Sequence, residues 1–295
     1  MDSVQFRSME SGIPMDNEYT IDIWKGVVMK TISNLFILLS LAGIISVAGL
    51  ALAADNPAAK PAPDAKAVPE PAKKLQEDII KTEAGDLKIT FIGHGTLMFQ
   101  YAGKVVHVDP WTKLADYSKL PKADVILITH EHADHLDPKA IEMLRKDSTL
   151  ILLTQACADK VPGGKVIKNG ESQTVAGLKI EAVPAYNIVQ KRPDGTAFHP
   201  KDSGNGYVIN FGKTRVYVAG DTENIPEMKK LDKIAVAFLP MNLPYTMTPE
   251  QAAEAAKSFM PKVLYPYHFG QTDPKLLVNL LKDVKGIEVR IRDMK

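Results

Sequence analysis

The chain has a single cysteine, Cys157, in 295 residues. That excludes an internal disulfide and any zinc site built from several thiolates. Cys157 follows the apolar run Leu150-Ile151-Leu152-Leu153 and has no base assigned to it, which fits a buried, inert thiol rather than a nucleophile. Charge of one sign is lacking too: 36 Lys and Arg against 35 Asp and Glu leave a net +1. Nothing in that balance recruits nucleic acid or an anionic surface, and no basic surface interleaved with aromatics points to a nuclease. There is no Gly-x-Ser-x-Gly elbow, so a covalent serine mechanism has no anchor. The rest is ordinary globular composition, 45% apolar and 24% charged.

The uncharged stretch from Leu35 to Ala54 stands out from that background. Met29-Lys30-Thr31 precedes it and Ala51-Leu52-Ala53 closes it with small residues, the pattern of a secretory signal. The expected cleavage follows Ala53, with Ala54 as the second choice and Met29 as the effective start. Left uncleaved, twenty apolar residues can just span a bilayer as an anchor. No cysteine stands directly after the run, so no lipoprotein anchor is expected. Residues 54–74, rich in Pro, Ala and Lys, cannot bury a core and read as a solvated linker. The organisation expected is therefore an N-terminal extension and signal over 1–53, a linker over 54–74, and one folded domain over 75–295. Such a product is exported, into a bacterial periplasm, with no stable membrane association once the signal is cut.

The densest chemistry lies in Thr129-His130-Glu131-His132-Ala133-Asp134-His135. It follows the apolar run 125–128, which reads as a buried strand. Imidazole and carboxylate together suit zinc, with manganese or iron at the harder end. His130 and His132, two apart in extended chain, point to one side; Asp134 and His135 follow as the chain turns. Asp137 and Pro138 open a short helix to Arg145.

Around that cluster the pattern alternates strands and short helices. Strands are expected at 88–92, 97–101, 105–108, 150–153 and 165–167. The second half repeats the grammar with strands at 172–176, 178–183, 206–211, 214–218, 236–239 and 263–265. Helices are expected at 225–231, 249–258 (capped by Thr248) and 274–283, before a last strand at 287–291. Two sheet-rich halves with helices imply two sheets face to face.

His-x-His-x-Asp-His after a strand, Gly220-Asp221 after a later one, and His268 after a last core strand resemble the metallo-β-lactamase fold superfamily across residues 87–295. Ile92-Gly93-His94, Val108-Asp109-Pro110-Trp111 and Pro266-Tyr267-His268 are similar to the branch containing L-ascorbate-6-phosphate lactonase. The resemblance implies an α/β fold, a four-layer αββα sandwich of two mixed sheets with helices outside. It implies His130 and His132 on a first metal, Asp134, His135 and His268 on a second, and Asp221 bridging them.

The third histidine of the first metal is absent from its place after Pro184-Ala185, where Asn187 stands. An amide oxygen is a weak zinc ligand beside imidazole. Three arrangements follow: one metal only, a weaker second metal on Asn187 or water, or recruitment of His199. The expectation is two unequal halves. His94 is read either as facing the site or as a turn residue, His107 as a packed strand residue, and Asp109 as hydrogen-bonding the ligand loop from behind. Tyr186, Tyr245 and Tyr267 read more simply as core aromatics than as pocket lining, and Lys191, Arg192 and Lys201 as a solvated charged loop.

The function implied is metal-assisted hydrolysis of an ester, lactone or phosphodiester in a small or lipid-like molecule. A bound ion lowers the pKa of its water from about 16 toward about 7, and Asp134 or Asp221 takes and returns the proton. The alternatives are a metal-binding module with little catalysis, and a di-iron oxidoreductase of the same fold. The second is disfavoured because that branch usually has a carboxylate where His132 stands. N-terminal sequencing of the exported protein tests the processing: the mature chain is expected to begin at Ala54, and a retained 35–54 segment contradicts cleavage.

Overall fold

The computed structural model describes residues 74–295. The expected signal and all of the linker but Lys74 lie outside the described residues.

A first sheet runs in sequence order through β1 (Gln76–Thr82), β2 (Gly85–Gly93), β3 (Thr96–Tyr101), β4 (Lys104–Val108), β5 (Val125–Leu127), β6 (Leu150–Leu153) and β7 (Lys165–Val166). The second holds β8 (Ser172–Val175), β9 (Leu178–Ala185), β10 (Gly204–Phe211), β11 (Thr214–Val218), β12 (Ile234–Pro240), β13 (Val263–Tyr267) and β14 (Glu288–Val289), also in sequence order. Each sheet begins with four antiparallel strands and continues with parallel ones. The repeated grammar of the two halves is thus a repeated topology.

Strand β5 shows why its sequence is apolar on every residue. Val125 and Leu127 join the core between the sheets, while Ile126 and the following Ile128 join a second cluster with Ala140, Ile141 and Leu144 of helix α1 (Pro138–Leu144). A strand covered on both faces needs no polar side. The second sheet is covered likewise. Ala252, Ala253, Ala255, Ala256 and Phe259 of α2 (Pro249–Phe259) and Leu277 and Leu281 of α3 (Lys275–Leu281) pack into the main core. Four layers result, αββα. Between the sheets, Phe91 and Phe99 meet Phe238 and Tyr265 with ring centroids 4.9–6.2 Å apart. Burying such rings contributes roughly 1.5–3 kcal/mol each.

The caps follow the sequence. Asp137 accepts from the backbone N–H groups of Lys139 and Ala140, and Thr248 and Gln251 form a reciprocal capping box. Other details differ from expectation. β1 is a full strand that the pattern did not announce, because it is an edge strand rich in charge. Asp78 on it accepts from Arg292 and Tyr265, tying it to the C-terminal segment. The helix expected at 225–231 is a 3-10 turn over Pro226–Lys230, and the last strand shrinks to Glu288–Val289.

His107 is packed, as expected. It is fully buried, its Nε2–H donates to the Pro121 carbonyl at 3.0 Å, and burial pushes its pKa down to about 4. The unfolded chain binds a proton near pH 6.5 that the folded chain refuses until about pH 4. Stability is therefore lost as pH falls through that window, by about 3 kcal/mol for this group. In urea melts between pH 7 and 4, His107→Gln is expected to show a shallower acid slope than the parent by about one proton. An unchanged slope contradicts this assignment.

Candidate metal centre

The ligands expected from the sequence lie where strands leave the sheets, on the edge that both sheets share. His130 to His135 follow β5, Asp221 follows β11, His268 follows β13, and His94 sits in the β2–β3 hairpin. In α/β sheets, ligands bind outside the carboxyl ends of the strands.

The ligand loop is pinned from behind by a buried carboxylate. Asp109 accepts from the Thr129 backbone N–H (2.8 Å), the Thr129 hydroxyl (2.6 Å) and His135 Nδ1–H (2.8 Å). Burial raises its pKa, and His135 and Thr129 oppose the rise. The Thr129 hydroxyl in turn accepts from His130 Nδ1–H at 2.9 Å. Both rings are thereby held with Nε2 turned to the site. Strand β10 fastens the same loop from the opposite sheet: the Tyr207 hydroxyl donates to the Ile128 carbonyl, and Asn205 N–H to that of Thr129.

Asp221 is aimed by Gly220, whose φ of +68° is left-handed and whose missing Cβ would meet the Asn205 carbonyl at 2.8 Å. The Gly220 N–H donates to the Tyr267 hydroxyl, so Tyr267 belongs to the buried support of the site. Gly95 is required for a different reason: a Cβ there would stand 2.7 Å from the His135 ring.

Two sets of donors converge. His130, His132 and His199 form one, with His130 Nε2 and His132 Nδ1 3.1 Å apart. Asp134, His135 and His268, with His94 beside them, form the other, with the Nε2 atoms of His135 and His268 also 3.1 Å apart. Asp221 lies between, its oxygens 3.3 Å from His199, 3.5 Å from His135 and His268, and 3.9 Å from His130.

Of the three arrangements open at Asn187, the geometry matches the recruitment of His199. Asn187 does not face the site as a ligand. Its Oδ1 accepts from the His199 backbone N–H at 2.7 Å and from His199 Nδ1–H at 2.8 Å. His199 supplies the third imidazole and Asn187 orients it. The position after Pro184-Ala185 keeps a role at the site but exchanges coordination for support. His94 faces the site, its Nε2 3.0 Å from Asp134 Oδ2 and its ring 3.7 Å from that of His268. Asp109 lies behind the ligand loop, as expected. Tyr186 is buried with its hydroxyl donating to Glu227, while Tyr245 is exposed and packs on Phe198. Cys157 is buried, with its thiol pushed up to about 11 by burial. Thr129, Asn205 and Tyr207 have supporting roles that the sequence pattern does not assign. Thr129, immediately before the cluster, was the one with a local signal.

The donor chemistry fits a cation. Among the described residues, His199 Nε2 and Asp221 Oδ1 are buried without a hydrogen-bond partner, a cost of about 1–3 kcal/mol each if left so. Imidazole nitrogens on a tetrahedral ion at about 2.0–2.1 Å stand roughly 3.3 Å apart, close to the two 3.1 Å separations here. The electrostatics agree. Burial works against a charged His135, yet the carboxylates of Asp221 and Asp109 push its pKa up to about 9. Burial also works against ionised Asp221, yet His268, His135 and His199 hold it well below the usual range. Burial alone raises Asp134, but His268 and His94 outweigh it and keep Asp134 ionised. His130 is pushed well down by burial and offers a neutral lone pair. The raised His135 marks carboxylates that call for positive charge, which a divalent ion would supply once His135 gives up its proton.

A family described as "Beta-lactamase superfamily domain" matches residues 88–268. The chain belongs to that superfamily. A crystal structure described as a metal-dependent hydrolase from Parabacteroides distasonis ATCC 8503 is 52% identical, spans 75% of this chain and 100% of its own, and aligns with a TM-score of 0.72. Igni18, a metallo hydrolase from the hyperthermophilic archaeon Ignicoccus hospitalis KIN4/I, is 28% identical over 70% of this chain and 95% of its own, with a TM-score of 0.59. A UPF0173 metal-dependent hydrolase of Geobacillus sp. strain WCH70 is 31% identical over 68% of this chain and 95% of its own. This superfamily member is a metal-dependent hydrolase.

Elemental analysis checks the ligand sets. The wild-type chain is expected to carry two ions, and His199→Ala one. Two tightly held ions in His199→Ala would return the third-ligand role to another residue.

Proposed function

We propose that this chain is an exported hydrolase that cleaves an ester, lactone or phosphodiester bond of a small or amphiphilic molecule, with two zinc ions in the centre. The observation that carries the reading is the pair of donor sets sharing Asp221. Three imidazoles suit zinc in the first set; manganese or iron is the next choice for the carboxylate-richer second. Export is supported by the uncharged run 35–54 and its small-residue end.

The metal centre supplies Lewis acidity and an activated water at neutral pH. The side chains do the rest. Asp221, buried among four imidazoles, is committed to holding charge. Asp134 is one-third exposed and shares Oδ2 with His94, so it is the carboxylate placed to receive a proton and hold it for the leaving group. His94, packed on His268 and near Trp111, keeps Asp134 oriented. On the other side of the centre, Phe198 and Tyr245 pack together next to His199, and Ile188, Val189 and Leu243 are exposed on the adjoining loops. Such an apolar rim, with Arg192 stacked on Phe198 at 4.9 Å, suits the organic part of a substrate.

The reading as a metal-binding module drew on the missing third histidine. His199 now stands in that place, which favours catalysis.

A panel of chromogenic esters, lactones and phosphodiesters on the full mature chain tests the proposal. Turnover on at least one is expected, abolished by a chelator and restored by added zinc. His130→Ala is expected to lower kcat/KM by at least 100-fold, about 3 kcal/mol of transition-state stabilisation. Chelator-insensitive turnover, or none with both ions bound, contradicts it.

A further inference from the structure

Glu223 is a carboxylate, 1% exposed, that the hydrolytic scheme leaves unused. It stands two residues beyond Asp221, on the segment that leaves β11. An ionised carboxylate taken out of water costs several kcal/mol unless its lone pairs are met. Here three N–H donors meet them: Asn187 Nδ2 on Oε1 at 3.1 Å, the Gln190 backbone on Oε1 at 2.6 Å, and the Val189 backbone on Oε2 at 2.9 Å. The Glu223 N–H is itself fixed, donating to the Tyr186 carbonyl at 3.0 Å.

Asn187 passes this constraint to the metal centre. Its Nδ2 is committed to Glu223 and to the Tyr245 carbonyl (2.8 Å), which settles which end of the amide is oxygen. That oxygen faces His199 and accepts both its backbone N–H and its Nδ1–H. With the proton fixed on Nδ1, the lone pair is on Nε2, and Nε2 points at Asp221 from 3.3 Å. On the opposite flank Asp109 does this for His135 directly, as a carboxylate against an imidazole. For His199 the same arrangement has an amide interposed: carboxylate, amide, imidazole.

We propose that Glu223 is a positioning residue: through Asn187 it sets the tautomer and aim of His199, and through Val189 and Gln190 it ties the apolar rim to that same ligand. The proposal rests on His199 being a ligand. Exchanging the carboxylate for an amide removes the charge that polarises Asn187 and lets a competing N–H point at it. His199 then visits the other tautomer and other ring orientations, and holds its ion more weakly.

The test uses the full chain and two readouts, zinc affinity by competition with a chromophoric chelator and the visible spectrum of the cobalt(II)-loaded protein. Glu223→Gln is expected to weaken one ion about 10- to 100-fold, to shift the cobalt bands, and to leave the other ion within about twofold. Asn187→Ala is expected to weaken the same ion, and Asn187→Ala/Glu223→Gln no more than Asn187→Ala alone, because both changes cut one chain. A lower melting temperature in Glu223→Gln with affinity and cobalt spectrum unchanged overturns the proposal, and so do effects that multiply in the double variant. If Glu223→Gln does not fold, unchanged affinity in Asn187→Ala overturns it and a matching loss supports it. His199→Ala separates the two levels: full zinc affinity there removes the ligand assignment itself, whereas a lost ion there beside an unaffected Glu223→Gln removes only the role of Glu223.

Discussion

Asp221 is a carboxylate buried in protein and surrounded by imidazoles at 3.3–3.9 Å. One of its oxygens has no hydrogen-bond donor. Such a group is costly unless positive charge sits beside it. The rest of the edge of this sandwich is arranged around meeting that need. Histidines arrive from β5 in the first sheet and from β13 and the β9–β10 loop in the second, so each donor set draws on both sheets.

Precision comes from what stands behind the ligands. Asp109 braces His135 and, through Thr129, His130; Asn187 braces His199. Several of these residues sit in left-handed backbone: His94 at φ +50°, Asp109 at +45° and His268 at +44°. For non-glycine residues such conformations cost of order 1–3 kcal/mol each. They persist because hydrogen bonds and packing on both sides fix them, as where His268 N–H donates to the His94 carbonyl. Strain at these three places lets short turns deliver side chains that regular strands would point elsewhere.

How much of this was legible follows from where the information lies. His130, His132, Asp134 and His135 are local, after a strand whose apolar run is unmistakable. Asp221 and His268 also follow strands with clear patterns. His199 carries no such mark. It lies in a loop without periodicity, and its approach to the site depends on Asn187, twelve residues earlier, and on Glu223, beyond the next hairpin. The sequence pattern therefore suggested a deficient first set, and the fold supplies the missing imidazole. β1 was hidden for a related reason: as an edge strand it carries Glu77, Asp78 and Lys81 in place of a continuous apolar face. It is held by its pairing with β2 and, through Asp78, by Tyr265 and by Arg292, more than two hundred residues away.

The central claim is that two ions share Asp221, each with its own trio of side chains. Anomalous diffraction at the zinc edge, on crystals of the zinc-loaded protein, tests it most directly. The account predicts two peaks about 3.5–4 Å apart, one beside His130, His132 and His199, the other beside Asp134, His135 and His268, with Asp221 between them. A single peak, or a peak in contact with Asn187 Oδ1 and His199 turned away, would contradict it.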